Sequence, residues 1–235
     1  MARHTIALLS ILCLVVFAVA RVAPAEGGRS SSACAGSSEY AYAGFQSEHK
    51  AHGVSAGIVA LDSPAVTDGH VGGWIGVGGV DAGPGGAAEW LQVGLASFSP
   101  DPSVRLYYEL TVPGKDTKYV ELEANVAPGE KHELAVLEVS KRNSWWRVWV
   151  DGKPASAPIF LPKSHGASYP QAVAENWNGG TGTCNSYAYR FSNVRLAQTN
   201  GGSWKPLTDR YLFHDKGYRV VQTSRLPSSF VASSV

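Results

Sequence analysis

Three residues sit where chemistry is possible. Gln92 stands in the middle of an apolar run, Glu109 in the next, and Glu175 in a third, Gln171 to Trp177. A glutamine cannot titrate, so it can hold a developing oxyanion at any pH, while a partly ionised glutamate can take a proton from water. A glutamate of ordinary pKa is a feeble base at neutral pH, so such a pair favours acid conditions and a tuned carboxyl. The two side chains must then lie within about one water of each other. Gln92 buried inside a strand would need a hydrogen-bond partner; the plainer alternative is a glutamine on a solvated strand face. Trp74 and Ile75 are flanked on both sides by glycines, which leave room for close approach of a ligand or backbone.

Two further constellations compete with this one. Glu121 and Glu123 are i and i+2 on one strand and share a face. Retaining glycoside hydrolysis uses two carboxyls about 5 Å apart, although a strand with one solvated face has the same pattern. Trp145, Arg147 and Trp149 alternate with Trp146, Val148 and Val150. One of these faces is core, and the first would offer two indoles about 13 Å apart for stacking on sugar rings or gripping an extended peptide. Covering loops would remove that role. Trp177, within Asn176-Trp177-Asn178-Gly179-Gly180, is a candidate cleft rim or an ordinary turn. Cys184 and Asn185 are most simply structural. No G-x-S-x-G is present, so serine-type catalysis has no support. The seven histidines are scattered, with no pair at ligand spacing, so neither a metal nor a cofactor is expected.

The elements that must position these groups read as strands. Period-2 or short apolar runs cover Tyr40 to Phe45, Val54 to Leu61, Val71 to Val77, the segment around Gln92, and Val104 to Val112. They continue over Tyr119 to Val126, His132 to Val139, Trp145 to Val150, Gln171 to Trp177, Tyr187 to Leu196 and Trp204 to Leu207. Turn residues separate them, with Asp151-Gly152 a strong hairpin signal. No helix-period run of useful length occurs. The pattern predicts an all-β fold, an antiparallel two-sheet β-sandwich of jelly-roll type.

The N-terminus reads as an export signal over residues 1–25. Arg3 and His4 precede an apolar run from Ile6 to Ala20, followed by A-x-A patterns ending at Ala20 and Ala25. Residues 26–38 read as a flexible lead-in and 39–209 as the β-domain. Residues 210–235, charged and then Ser-rich, read as a partly disordered tail. The expected product is a secreted, extracellular monomer with no membrane association after signal cleavage. A net charge of +1 argues against a nucleic-acid partner and leaves an extracellular peptide or polysaccharide. After signal removal only Cys34 and Cys184 remain. In an oxidising compartment they are expected to pair, closing 184 − 34 = 150 residues of chain, worth about 4 to 5 kcal/mol in chain-entropy terms. Two free thiols are the alternative.

Several segments, in order, resemble the glutamic peptidases, or eqolisins. Tyr42-Ala43-Gly44-Phe45 with Val54-Ser55-Ala56 and Pro64 resembles their W-x-G…V-x-A…P, and Gly73-Trp74-Ile75-Gly76 their W-V-G-I. Leu91-Gln92-Val93-Gly94 is similar to L-Q-x-G, and Tyr107-Tyr108-Glu109 to W-Y-E-W. Gln171 to Glu175 lies where the family has A-E-[WF]-I-x-E, with Glu175 on the last glutamate. The separation 175 − 92 = 83 residues is close to that of the family's catalytic pair. The resemblance implies a concanavalin-like sandwich and an acid endopeptidase, with Glu175 as general base and Gln92 as oxyanion donor. Trp74 would be the cleft wall, and Glu109 and Gln171 neighbouring groups. The chain departs from the pattern at Gly78, Ala96 and Gln171, where the family has acidic residues, and at Ala172 and Val173, where it has larger apolar ones. A non-catalytic peptide- or carbohydrate-binding sandwich is therefore the other expectation.

Overall fold

The computed structural model describes residues 40–223 and 228–235. The expected signal segment, the lead-in and Cys34 lie outside the described residues. In chain order the strands are β1 (Ala41–Ser47), β2 (Gly53–Ala60), β3 (His70–Gly79), β4 (Glu89–Phe98), β5 (Arg105–Thr111), β6 (Lys118–Glu123), β7 (Lys131–Glu138) and β8 (Trp145–Val150). They continue as β9 (Lys153–Pro154), β10 (Ile159–Phe160), β11 (Gln171–Trp177), β12 (Ala188–Thr199), β13 (Gly202–Pro206), β14 (Arg210–His214), β15 (Tyr218–Gln222) and β16 (Phe230–Ser234). The only helical piece among the described residues is a 3-10 turn at Pro84–Gly86.

Two antiparallel sheets result. One runs β14-β1-β11-β3-β4-β5-β6, the other β10-β8-β7-β2-β12-β16-β15, with β9 on β8 and β13 on β12. This is the all-β, antiparallel jelly-roll sandwich expected from strand spacing, of the concanavalin-like kind that the resemblance implied. Alternation divides each strand of the first sheet between core and cleft. On β3, Val71, Ile75 and Val77 are buried in the core, and on β4 so are Leu91, Val93 and Leu95. They meet Ile58, Leu134, Val136, Trp146 and Phe191 from the second sheet. The intervening positions of the first sheet face the cleft.

The chain after Asp209, expected to be a partly disordered tail outside the β-domain, supplies β14, β15 and β16. Phe230 is fully buried, stacked on Phe191 at 4.6 Å and edge-on to Phe45 at 4.9 Å. Tyr218 and Ala232 join the same core. Burial in these strands is sparse: no residue of β14 and only Tyr218 of β15 is buried, while β16 buries Phe230, Ala232 and Ser233, so their composition looks polar.

The face carrying Trp145 and Trp149 lies on the second sheet. The core side of β8 is Trp146 and Val148. On the outer side Phe160 packs against Trp145 at 5.3 Å and the Arg142 guanidinium caps its ring at 4.2 Å. Trp149 is half-buried and pairs with Pro154 on β9. These tryptophans are on the second sheet, away from the cleft described below, and β9 and β10 flank β8 at its edge, where Phe160 and Arg142 pack on Trp145.

Candidate functional site

Strand register assembles the site in rows across the first sheet. One row is Gln46, Gln171, Gly76, Gln92, Glu109 and Tyr119 on β1, β11, β3, β4, β5 and β6. Two residues further along, Val173, Trp74, Gly94 and Tyr107 form the next row. The row beyond holds Tyr42, Glu175, Gly72 and Ala96. The last holds Trp177, His70 and Phe98. Because paired residues point to the same side, all of these share one face. Glycines at 72, 76 and 94 keep the floor low, and aromatic rings form the walls of a cleft of about 670 Å³.

Trp74 is the centre of this arrangement. Its indole N–H donates to Glu175 Oε2 at 2.9 Å, and His70 Nε2 lies 3.4 Å from the other oxygen, Oε1. Across Trp74, the Gln92 amide N–H donates to the Tyr107 hydroxyl at 3.1 Å. Gln92 and Glu175 are each 8% exposed, enough to be reached from the cleft. Both line it, but no hydrogen bond joins them. They stand on opposite sides of Trp74, two strands apart and four residues apart along the strand direction, about 16 Å between backbones, so the expectation that the two side chains lie within about one water of each other is not met. The cleft residue facing Gln92 across Gly76 is Gln171, whose amide donates to Gln46 Oε1 at 3.0 Å.

Glu109 is Gln92's neighbour on β5 and accepts a hydrogen bond from the Trp90 indole at 3.1 Å. Burial lifts its carboxyl above the ordinary glutamate range; the Trp90 bond and His70 oppose this, and the charge of Glu175 reinforces it. Burial, followed by the charges of Glu175 and Glu109, also holds the Tyr107 hydroxyl protonated far above neutral pH. Tyr107 accepts from Gln92, so its own O–H proton remains to donate into the cleft.

The structure thus brings Trp74, Gln92, Glu109, Gln171 and Glu175 together. Trp177 stands behind the rim, its ring parallel to Tyr40 at 6.1 Å and tilted against His70 at 5.6 Å. Glu121 is held by Arg105 Nε at 3.1 Å and Glu123 is exposed at the sheet edge, so the two do not face each other across this cleft. Strand alternation did not identify His70, Tyr107, Tyr42 or the β14 residues Tyr211 and Phe213, all of which line the cleft. Their place depends on strand order, which pairs β1 with β11 and β14. The one local sign was Tyr107, beside Tyr108-Glu109.

Solved structures with this fold include scytalido-glutamic peptidase with a transition-state analogue inhibitor. It superposes with a TM-score of 0.57 at 14% identity, over 84% of this chain and 99% of that one. The same peptidase with a peptide-based transition-state analogue gives 0.56 at the same identity and coverage. A further eqolisin, in complex with the tripeptide Ala-Ile-His, gives 0.54, again at 14% identity over 84% and 99%. The chain shares their fold. At this identity the likeness establishes architecture alone. No protein-family model matches the sequence, and no curated protein does.

Proposed function

We propose that this is a secreted, glutamic-peptidase-like hydrolase that cleaves an extended peptide in acid, with Glu175 as the general base. The observation that carries the reading is the grip of the Trp74 indole on Glu175, with the Gln92–Tyr107 donor pair on the other side of the same ring. Glu175 and Gln92 are too far apart to share one water, so this reading requires the substrate itself to span them, its scissile carbonyl lying over Trp74 with the base on one side and the oxyanion donors on the other. Glu175 takes a proton from water as the water oxygen attacks the carbonyl carbon. The carbonyl electrons move to oxygen, where the Gln92 amide N–H and the Tyr107 O–H donate to it. Glu175 then returns the proton to the amide nitrogen as the C–N bond breaks. Glu109, its carboxyl kept protonated above the usual range by burial, removes one negative charge from the cleft in acid.

Gln171 favours a second reading. It faces Gln92 across Gly76 as an amide paired to another amide, and neither can titrate. A cleft of this composition also serves binding without turnover, of a peptide or a polysaccharide. Proteolysis of a denatured protein by purified residues 26–235, scanned from acid to neutral pH, separates the two. Cleavage that vanishes in Glu175→Gln supports the hydrolase. Two folded proteins, neither of which cleaves at any pH, would sink the hydrolase and leave the binding reading. Secretion carries with it a Cys34–Cys184 bridge; a linked peptide pair in a non-reducing digest supports it, and free thiols at both positions contradict it.

A further inference from the structure

A second cluster of donor side chains lies outside the cleft, at the end of β7. Glu138 is fully buried at 0% exposure, yet each of its oxygens meets an imidazole. His52 Nδ1 is 2.6 Å from Oε2 and His165 Nδ1 is 2.7 Å from Oε1. The backbone N–H of Ser144 also donates to Oε1. The three donor groups lie within 4.8 Å of one another. They come from three separate segments: the β1–β2 turn, the end of β7, and the loop that leads into β11. Gly166 makes this meeting possible, since a Cβ there would lie 2.7 Å from His52 Cε1, and its φ of +49° is one that side chains disfavour.

We propose that His52, Glu138 and His165 form a binding site for a late first-row divalent cation, zinc first. Burying a carboxylate is costly unless a cation or strong donors compensate it, and a bound cation would supply that compensation directly. Two imidazole nitrogens and one carboxylate oxygen match the donor set zinc prefers, whereas magnesium and calcium call for oxygen ligands. On binding, the ion takes the place of the protons now shared between each Nδ1 and the carboxylate. The Ser144 N–H then holds the carboxylate in orientation as an outer support. Three protein donors leave a position for water, reached past His165, whose side chain is 44% exposed. The ion ties the β1–β2 turn and the 161–170 segment to β7, and so stiffens the entry to the strand that carries Glu175.

The test uses the purified protein without a histidine tag, stripped with chelator and titrated with zinc chloride by calorimetry and by thermal unfolding. One zinc per chain and a raised Tm are expected, with no Tm change from magnesium or calcium. His165→Ala and His52→Ala should each weaken binding by at least about tenfold and abolish the Tm shift. Both side chains are partly exposed, so the variants keep their circular dichroism. Gly166→Ala should weaken binding by displacing His52. Glu130→Gln, an exposed carboxylate in the separate group Glu123, Glu130 and buried His132, should leave both readouts unchanged. Absence of zinc binding, or binding that survives intact in His165→Ala, overturns the site and leaves a hydrogen-bonded brace.

Discussion

Adding one methyl group to the cleft floor should have opposite effects at two glycines on neighbouring strands. At Gly94 a Cβ would lie 2.3 Å from the Gly73 carbonyl oxygen, 2.6 Å from Trp74 Cβ and 2.7 Å from Trp74 Cα. Two of those three atoms are backbone, and reaching even a tight 3.4 Å contact needs a displacement of 3.4 − 2.3 = 1.1 Å between central strands β3 and β4. Overpacking of this kind costs about 1–3 kcal/mol. The movement falls on Trp74, so its bond to Glu175 is lost as well. A hydrogen bond to a charged group is worth about 1.5–3 kcal/mol, or roughly 10- to 150-fold in turnover if it acts in the transition state. At Gly72 the nearest atoms are 3.5 Å and 3.6 Å away, ordinary contact, and no positive φ is needed. Gly72→Ala should therefore fold normally, and gain about 0.4–1 kcal/mol from a less flexible unfolded chain. Urea unfolding followed by tryptophan fluorescence reads both, as shifts of midpoint at constant slope. Equal midpoints for the two variants, or a Gly94→Ala protein as stable as the parent, would refute the account of the floor.

Phe230→Ala, on the last strand, should cost about 3–5 kcal/mol because the ring is fully enclosed between Phe191 and Phe45. A loss under about 1 kcal/mol in the same urea assay would mean the C-terminal strands are not part of the core. Glu109→Gln tests the lifted carboxyl. The folded state holds that proton to higher pH than the unfolded chain, so native stability falls as pH rises from the ordinary glutamate value through the raised one. The variant lacks this dependence and should gain on the parent across that window in Tm measured against pH. A gap that stays constant with pH, or moves the other way, contradicts the burial argument.

Strand existence was legible wherever alternation was strong, and Gln171–Trp177 coincides with β11 to the residue. The same alternation placed Trp74, Gln92, Glu109 and Glu175 on strands whose order then brings them into one cleft. It could not say that Gln92 would bond Tyr107, nor that Trp74 would stand between Gln92 and Glu175, because register across three strands decides both. At β8 it correctly divided Trp145 and Trp149 from Trp146, yet it carried no information on Phe160 and Arg142, which pack on Trp145. Strands β14 and β15 bury almost nothing and β16 only three residues, so composition made them look like a tail. His52, Glu138 and His165 are far apart in the chain, and their meeting appears only once the loops are folded.

The position of β1 has a consequence for when the protein can fold. It lies between β11 and β14, and the Tyr42 backbone N–H is bonded to Asp215 Oδ2, 173 residues later. Strand β2 likewise waits for β12, and β12 for β16. Neither sheet can close until nearly the whole chain has left the ribosome, and contacts of such range make folding slow. Under the export proposed above, that delay is useful: a polypeptide that must thread a membrane channel stays threadable throughout synthesis, and its sandwich forms only on the far side.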